Sequence, residues 1–282
     1  MFDFDGDARA DASVFRPTTG IWYVNGTATG FRGVSWGVST DKPTPADFDG
    51  DDKADIAVWR PDAANAAAFY ILSSLSGTVR IERFGQNGDL PIAVGDWDGD
   101  GLADPAVYRS SAVGLQGYFY YRGSLNNPSG AITYLPWGTA GDMPMRGDFD
   151  GDGRQDAATF RPSNSTWYIL QSSNGQIRYD SWGLSTDKFV NADYDGDGKT
   201  DLAVFRNGTW YVKQSLSGQA AYYSWGTATD IPVPADYDGD AITDVAVYRN
   251  GLWYIRLSGN GSLRVDSFGV STDTAVPNAF VQ

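Results

Sequence analysis

One nine-residue pattern occurs six times in this chain, and a repeat of that kind limits the possible folds more than composition can. Aspartate stands at positions 1, 3, 5 and 9 and glycine at position 4, with starts at Asp3, Asp47, Asp96, Asp148, Asp193 and Asp236. The starts lie 44, 49, 52, 45 and 43 residues apart. That period is the length of one four-stranded propeller blade.

The aspartates are Asp3, Asp5, Asp7 and Asp11 in the first copy, Asp47, Asp49, Asp51 and Asp55 in the second, and Asp96, Asp98, Asp100 and Asp104 in the third. They are Asp148, Asp150, Asp152 and Asp156 in the fourth, Asp193, Asp195, Asp197 and Asp201 in the fifth, and Asp236, Asp238, Asp240 and Asp244 in the sixth. Carboxylates packed this closely repel one another unless a cation sits among them. Hard oxygen ligands in such number point to calcium, which takes six to eight oxygens at ~2.3–2.6 Å. The glycine lets the backbone turn sharply enough for the side chains to converge. By analogy with other calcium loops, the backbone carbonyl at position 7 adds an oxygen: that of Arg9, Lys53, Leu102, Arg154, Lys199 and Ile242. About six calcium ions are therefore expected, one per repeat.

Composition fits this reading. The net charge of −14 and the absence of a basic cluster argue against nucleic acid. Six divalent ions would bring that −14 to about −2, which links metal binding to folding. Cysteine is absent, so no disulfide framework is available, and histidine is absent, which removes the usual general base. The longest apolar run, Ala66 to Leu72, falls far short of the ~20 residues of a membrane helix, so no membrane insertion is expected.

Each repeat follows one script. After the loop comes an apolar segment ending in arginine: Arg16, Arg60, Arg109, Arg161, Arg206 or Arg249. A turn follows, such as Asn207-Gly208 or Asn250-Gly251, which signals a hairpin. A segment with an aromatic pair comes next, as in Trp22-Tyr23-Val24 or Trp210-Tyr211-Val212, and then a third segment ending in an aromatic and glycine, as in Trp36-Gly37 or Phe268-Gly269. A polar loop with one aspartate (Asp41, Asp89, Asp142, Asp187, Asp230 or Asp273) leads into a proline-containing strand before the next copy. Proline suits an edge strand, here the innermost strand facing a central channel.

The chain is thus predicted to be all-β: a single domain, 1–282, forming a six-bladed β-propeller with four antiparallel strands per blade. The chain opens almost inside the first loop and lacks an inner strand there. Residues 275–281 match the inner-strand position, so the C-terminal strand is expected to close the first blade.

The Asp-x-Asp-Gly-Asp-x-x-x-Asp loops, the aromatic-glycine step and the Trp-Tyr strands resemble FG-GAP/VCBS repeats across essentially the whole chain. That family builds β-propellers in secreted bacterial proteins, in integrin α-subunit heads and in some fungal lectins. The resemblance implies calcium bound by all six loops. The family's Gly-Ala-Pro step is replaced here by Pro-x-Pro-Ala-type strands, which places the chain nearer the bacterial repeats, so integrin-like partner binding is not implied.

The repeated arginines are expected to pair with the lone aspartate of a nearby loop or to bond to backbone carbonyls rather than to hold an anionic ligand, and the Trp-Tyr pairs to fill the space between blades. Outside the loops no isolated pair of carboxylates is visible for acid–base work, so the chain is read as non-catalytic. Irregular places guide the search for a ligand face: the insertion from Asp62 to Ala68, and the long third repeat, with Tyr118, Tyr120, Tyr121 and Arg122 as candidate ligand-binding residues. The leading reading is a calcium-stabilised recognition or adhesion module that binds a protein or glycan partner at the cell surface, as a secreted domain of a longer protein with Met1 added. A lectin, a polysaccharide lyase or hydrolase, and a structural assembly domain are the alternatives.

Overall fold

The structure is a computed structural model that describes residues 2–62, 66–112, 115–125 and 130–281. The centre of the insertion expected at Asp62 to Ala68, and parts of the segments flanking Tyr118 to Arg122, lie outside the described residues. Six antiparallel sheets follow one another around a ring, with almost no helix, and the protein is a six-bladed β-propeller.

Within a blade the second strand is apolar along most of its length. Ala12–Arg16, Ile56–Arg60, Ala157–Arg161, Leu202–Arg206 and Val245–Arg249 each bury their first four residues, because neighbouring blades cover both of their faces. The third strands alternate. In Thr209–Lys213 and Leu252–Arg256 the tryptophan faces the interior and the adjoining tyrosine faces the other way. The outer strands Ile177–Ser181, Ala220–Ser224 and Leu263–Ser267 alternate exposed and half-buried residues, since one edge of each meets solvent. At the hairpins, Asn207 and Gly208 both carry positive φ (52° and 84°), the left-handed pair that a two-residue turn between twisted strands requires.

The inner strands are short. Lys42–Pro43, Lys188–Phe189 and Ile231–Pro232 hold only two residues, and Met143–Met145 holds three. In the third blade the inner strand shrinks to one bridge, Leu90 against Tyr108, because Pro91 opens a 3-10 turn over Pro91–Ala93. The C-terminal segment closes the first blade: Ala275 pairs with Val14 and Thr274 with Phe15. This strand covers only Thr274–Ala275, not the expected 275–281. Val276–Asn278 turn into a 3-10 helix with Pro277 near its start, and proline cannot donate the next ladder bond.

Four of the six blades are tied to the next by tryptophan, the second and sixth having Phe84 and Phe268 at that position. The indole N–H of Trp36 donates to the Tyr70 carbonyl (3.1 Å), that of Trp137 to Tyr168 (3.1 Å), that of Trp182 to Tyr211 (3.3 Å) and that of Trp225 to Tyr254 (3.0 Å). The aromatic residue of the aromatic-glycine step is therefore a blade-to-blade connector as well as core.

Candidate metal centre

The aspartate at position 1 shapes each loop. Asp3 accepts the backbone N–H groups of Asp5 (3.0 Å), Gly6 (2.6 Å) and Ala8 (2.7 Å). Asp193 accepts those of Asp195, Gly196 and Gly198 at 3.2, 2.7 and 2.8 Å. This wrapping needs left-handed backbone at positions 4 and 6. Gly6 has φ of 87° and Gly196 78°, while position 6 is glycine in three copies and Ala8, Asp52 or Ala241 in the others, at 63–66°. Asp52, which stands outside the four-aspartate pattern, is thus a turn residue with an exposed side chain.

Position 9 lies at the bottom of the loop. Asp11, Asp55, Asp156, Asp201 and Asp244 are fully buried and Asp104 is 1% exposed. One oxygen of each accepts the N–H of position 2, as from Phe4 (2.9 Å) and Tyr194 (2.9 Å). The other accepts an N–H from the turn between the third and outer strands: Thr27, Ser74, Ser124, Ser172, Ser215 or Ser258, at 2.6–3.1 Å. The hydroxyl of that same residue donates to the position 5 carboxylate, as Ser74 does to Asp51 (2.8 Å) and Ser215 to Asp197 (2.9 Å). Sequence reasoning missed this residue, although its signal is regular: a serine or threonine five residues after the buried aromatic of the third strand in all six copies.

The carboxylates converge. In the first four loops an oxygen of positions 1, 3 and 9 lies within 4.8 Å of the others, and in the fifth loop the same holds for Asp193, Asp195 and Asp197, a spacing that could hold a metal ion. In four loops position 3 is bonded on one side only, whereas both oxygens of Asp150 accept hydrogen bonds. Asp5 Oδ2 accepts from Ala28 and Thr29 (both 2.8 Å), Asp49 Oδ2 from Ser73 (2.5 Å), and Asp195 Oδ2 from Leu216 (3.2 Å). The Oδ1 atoms of Asp5, Asp49, Asp195 and Asp238 are buried and accept no hydrogen bond among the described residues. Burial pushes the carboxyls of Asp11, Asp55, Asp156, Asp201 and Asp244 up to about 6 and that of Asp104 to about 7, with neighbouring loop carboxylates adding to the effect and backbone N–H groups opposing it.

The six loops also bond to one another. The position 8 N–H of each loop donates to the position 1 carbonyl of the preceding loop: Ala54 to Asp3, Ala103 to Asp47, Gln155 to Asp96, Thr200 to Asp148 and Thr243 to Asp193, at 2.5–2.8 Å. Ala10 donates to Asp236 at 2.6 Å and completes the circle. The position 7 side chains lie across the preceding loop: Lys53 over Gly6, Leu102 over Gly50, Arg154 over Gly99, Lys199 over Gly151, Ile242 over Gly196 and Arg9 over Gly239. A Cβ at any of those glycines would stand 2.7–3.1 Å from that side chain, which would have to shift, and the positive φ there favours glycine in any case. The position 7 N–H groups donate to position 5, as Lys199 does to Asp197 (2.9 Å).

At the other end of the second strands, each repeated arginine meets a lone aspartate through two hydrogen bonds, as expected. Arg60 holds Asp41 (2.7 and 2.8 Å), Arg206 holds Asp187 (both 2.6 Å), and Arg16 holds Asp273 across the ring closure (2.7 and 2.9 Å). Each guanidinium also lies over a tyrosine ring, as Arg161 does over Tyr168 at 4.0 Å. The paired aspartate holds Arg60, Arg161 and Arg206 above the ordinary arginine value.

The four candidate ligand residues of the third blade do not form one site. Tyr118 and Tyr120 share a face with Tyr134, with ring centroids 5.9–6.5 Å apart. Tyr121 points the other way and stacks on Trp97 at 5.0 Å. Arg122 pairs with Glu82 at 3.0 Å and lies over Phe84.

No known protein-family model matches this sequence, and no curated protein matches it. Solved structures do match the fold. A lectin from Agrocybe aegerita that recognises non-reducing terminal N-acetylglucosamine is similar with a TM-score of 0.57 at 12% identity, over 96% of this chain and 93% of that one. Virginiamycin B lyase from Staphylococcus aureus, in a catalytically inactive form with quinupristin, gives 0.53 at 9% identity, over 95% and 87%. A streptogramin B lyase gives 0.51 at 8% identity, over 96% and 85%. At these identities the likeness is one of fold, which binding proteins and enzymes share.

Proposed function

We propose that this chain is a calcium-stabilised, non-catalytic recognition domain of the FG-GAP/VCBS kind, working outside the cell. The observation that carries it is the set of buried Oδ1 atoms on Asp5, Asp49, Asp195 and Asp238, each inside a cluster of carboxylates and accepting no hydrogen bond among the described residues. A buried acceptor left without a donor costs about 1–3 kcal/mol, more when charged, and a hard cation removes that cost. The carboxylates of positions 1, 3, 5 and 9 would hold the ion with the position 7 carbonyl. The bound calcium would supply positive charge that fixes the loops, and the ring of backbone bonds between loops would carry that rigidity around the propeller. Millimolar extracellular calcium suits sites of this type.

Catalysis is not part of the proposal, because the carboxylates outside the loops are engaged. The six lone aspartates sit in arginine forks. Glu82 binds Arg80 and Arg122, Asp180 binds Arg178 and Lys213, and Asp266 binds Arg264.

Isothermal titration of chelator-stripped protein with calcium chloride tests the reading. Close to six ions should bind per chain; an absence of binding heat together with an unchanged melting curve would refute it. A carbohydrate reading is favoured by one feature, the Tyr118, Tyr120 and Tyr134 cluster, in which Tyr134 is 66% exposed. Exposed rings of this kind stack on sugar faces, and a glycan array comparing the native chain with Tyr134→Ala would decide: equal or absent signals remove it.

A further inference from the structure

Four of the seams between blades match apolar with apolar or acid with base, and the fifth does not. Val34 and Leu72 pack into one apolar cluster across the first seam, and Leu135 and Leu170 into another across the third. Glu82 meets Arg122 at 3.0 Å across the second, and Asp180 meets Lys213 at 2.6 Å across the fourth. In each charged seam the acid stands opposite the buried aromatic of its own third strand, as Asp180 stands opposite Trp167. The cation ends the third strand of the next blade, as Lys213 does opposite Leu202. In the fifth seam Arg256 holds the cationic position, opposite Val245, but Tyr223 holds the acidic one, opposite Trp210. Arg256 lies over the Tyr223 ring at 5.2 Å. Among the described residues it makes no ion pair and donates no hydrogen bond.

A second departure opens space at the same seam. Two residues before the acidic position, Arg32, Arg178 and Arg264 turn inward and donate to the carbonyl of loop position 2, on Phe4, Phe149 and Tyr237 (2.9, 3.5 and 3.2 Å). The fifth blade has Ala221 at that register. A cavity of about 330 Å³ opens there beside Tyr194, Tyr223 and Arg256, with Gln214 and Leu216 at its edge. The Gln214 Oε1 accepts the Ser217 hydroxyl (3.1 Å), which leaves the amide N–H groups unbonded among the described residues. Asp195, on the same wall, is turned to its own loop turn, where Oδ2 accepts the Leu216 N–H (3.2 Å). The polar groups with bonding capacity to spare are therefore donors, one of them charged.

We infer that the groove between the fifth and sixth blades receives an acidic side chain of a partner polypeptide, whose carboxylate is held by Arg256 and Gln214. The molecule contains the contact it lacks here: Glu82 on Arg122 shows that an aliphatic carboxylate fits this register of the seam. A guanidinium with unused N–H groups pairs with a carboxylate in a fixed fork geometry. Leu216, 70% exposed at the rim, offers apolar surface to the residues beside the acid. The inference goes beyond the calcium reading and does not rest on it; the calcium titration tests one and a peptide titration the other.

The probe is acetyl-Ala-Glu-Ala-amide, with the glutamine peptide as its neutral isostere, titrated into the full chain in calcium-containing buffer and followed by NMR shifts. Saturable binding of the glutamate peptide is expected with a dissociation constant below about 10 mM, and the glutamine peptide should bind at least about fivefold more weakly. Arg256→Gln should lower the affinity for the glutamate peptide by a similar factor. Tyr223→Asp, which returns an acid to the seam, should remove the preference for glutamate over glutamine. Thermal melting reports the folding of each variant; if neither folds, the ratio of the two peptides on the native chain decides. Glutamine bound as tightly as glutamate, a folded Arg256→Gln binding as the native chain does, or no saturable binding of the glutamate peptide below about 10 mM would each overturn the proposal.

Discussion

Each repeat buries two kinds of aspartate, and they are neutralised in different ways. At one end of the strands Asp41, Asp187 and Asp273 have fully buried side chains, each held by an arginine fork supplied by the chain. At the other end Asp55, Asp201 and Asp244 are as deeply buried, but their partners are backbone N–H groups. Among the described residues, cationic side chains approach position 5 of two loops, where Lys53 lies 3.9 Å from Asp51 and Arg154 lies 2.6 Å from Asp152. One end of the propeller is electrostatically complete as folded. The other carries the excess of the −14 net charge, and on the proposed reading a bound cation completes it. The same residue type can therefore be a fixed strut or a point of ionic control, depending on whether a guanidinium is placed within reach.

The difference can be tested, and removing the external cation should have the largest effect. Excess chelator should lower the melting temperature by more than ~15 °C in scanning calorimetry, since one site at a hundredfold excess of ligand over its dissociation constant contributes about 2.7 kcal/mol and several act together. An unchanged melting temperature would place both sets of aspartates in the same class. Next in size is Arg206→Gln, which leaves the carboxylate of Asp187 buried without its partner. A loss of about 2–3 kcal/mol in urea unfolding is expected, less than for a fully buried pair because Arg206 is partly exposed. The loss should be the same in calcium and in chelator; dependence on calcium would break the comparison.

Asp201→Asn leaves one of the Tyr194 and Ser215 N–H groups without an acceptor under both conditions, at about 1–3 kcal/mol, and should cost about 1–2 kcal/mol more in calcium, where a charged ligand is lost as well. Equal losses under both conditions would make position 9 a purely structural residue. The smallest effect is expected for Ser215→Ala, which removes the hydroxyl bond to Asp197 while keeping the N–H bond to Asp201. About 1 kcal/mol is expected, together with a severalfold weaker affinity at one site of the titration. No change in either would mean that the hydroxyl does not help to orient position 5.

The repeating features were legible in the sequence because they are local. A nine-residue turn, a hairpin dipeptide and a two-residue alternation depend on neighbours along the chain, and six copies allowed each assignment to be checked against five others. The strand ends at Arg16, Arg60 and Arg206 were readable for that reason, and so was the pairing of each arginine with a lone aspartate. The serine or threonine that completes each loop was present as a regular signal, but it lies some 20 residues beyond its partner, and only the sheet brings the two together.

What the sequence determined by itself was the unit: its loop, its strands and their order. Tertiary structure decided everything that depends on closing the ring. It set the bond from Ala10 to Asp236, the fork from Arg16 to Asp273, and the early end of the last strand at Ala275. It also turned Tyr121 away from Tyr118 and Tyr120, because alternate residues of a strand face opposite sides, and drew Arg122, just past the strand's end, to Glu82. It gathered Arg146, Asn191 and Gln155, set in three different stretches of chain, around one cavity. Contacts along the chain repeat with the sequence, whereas contacts across the axis depend on the number of blades and on which residues each inner strand turns toward the centre.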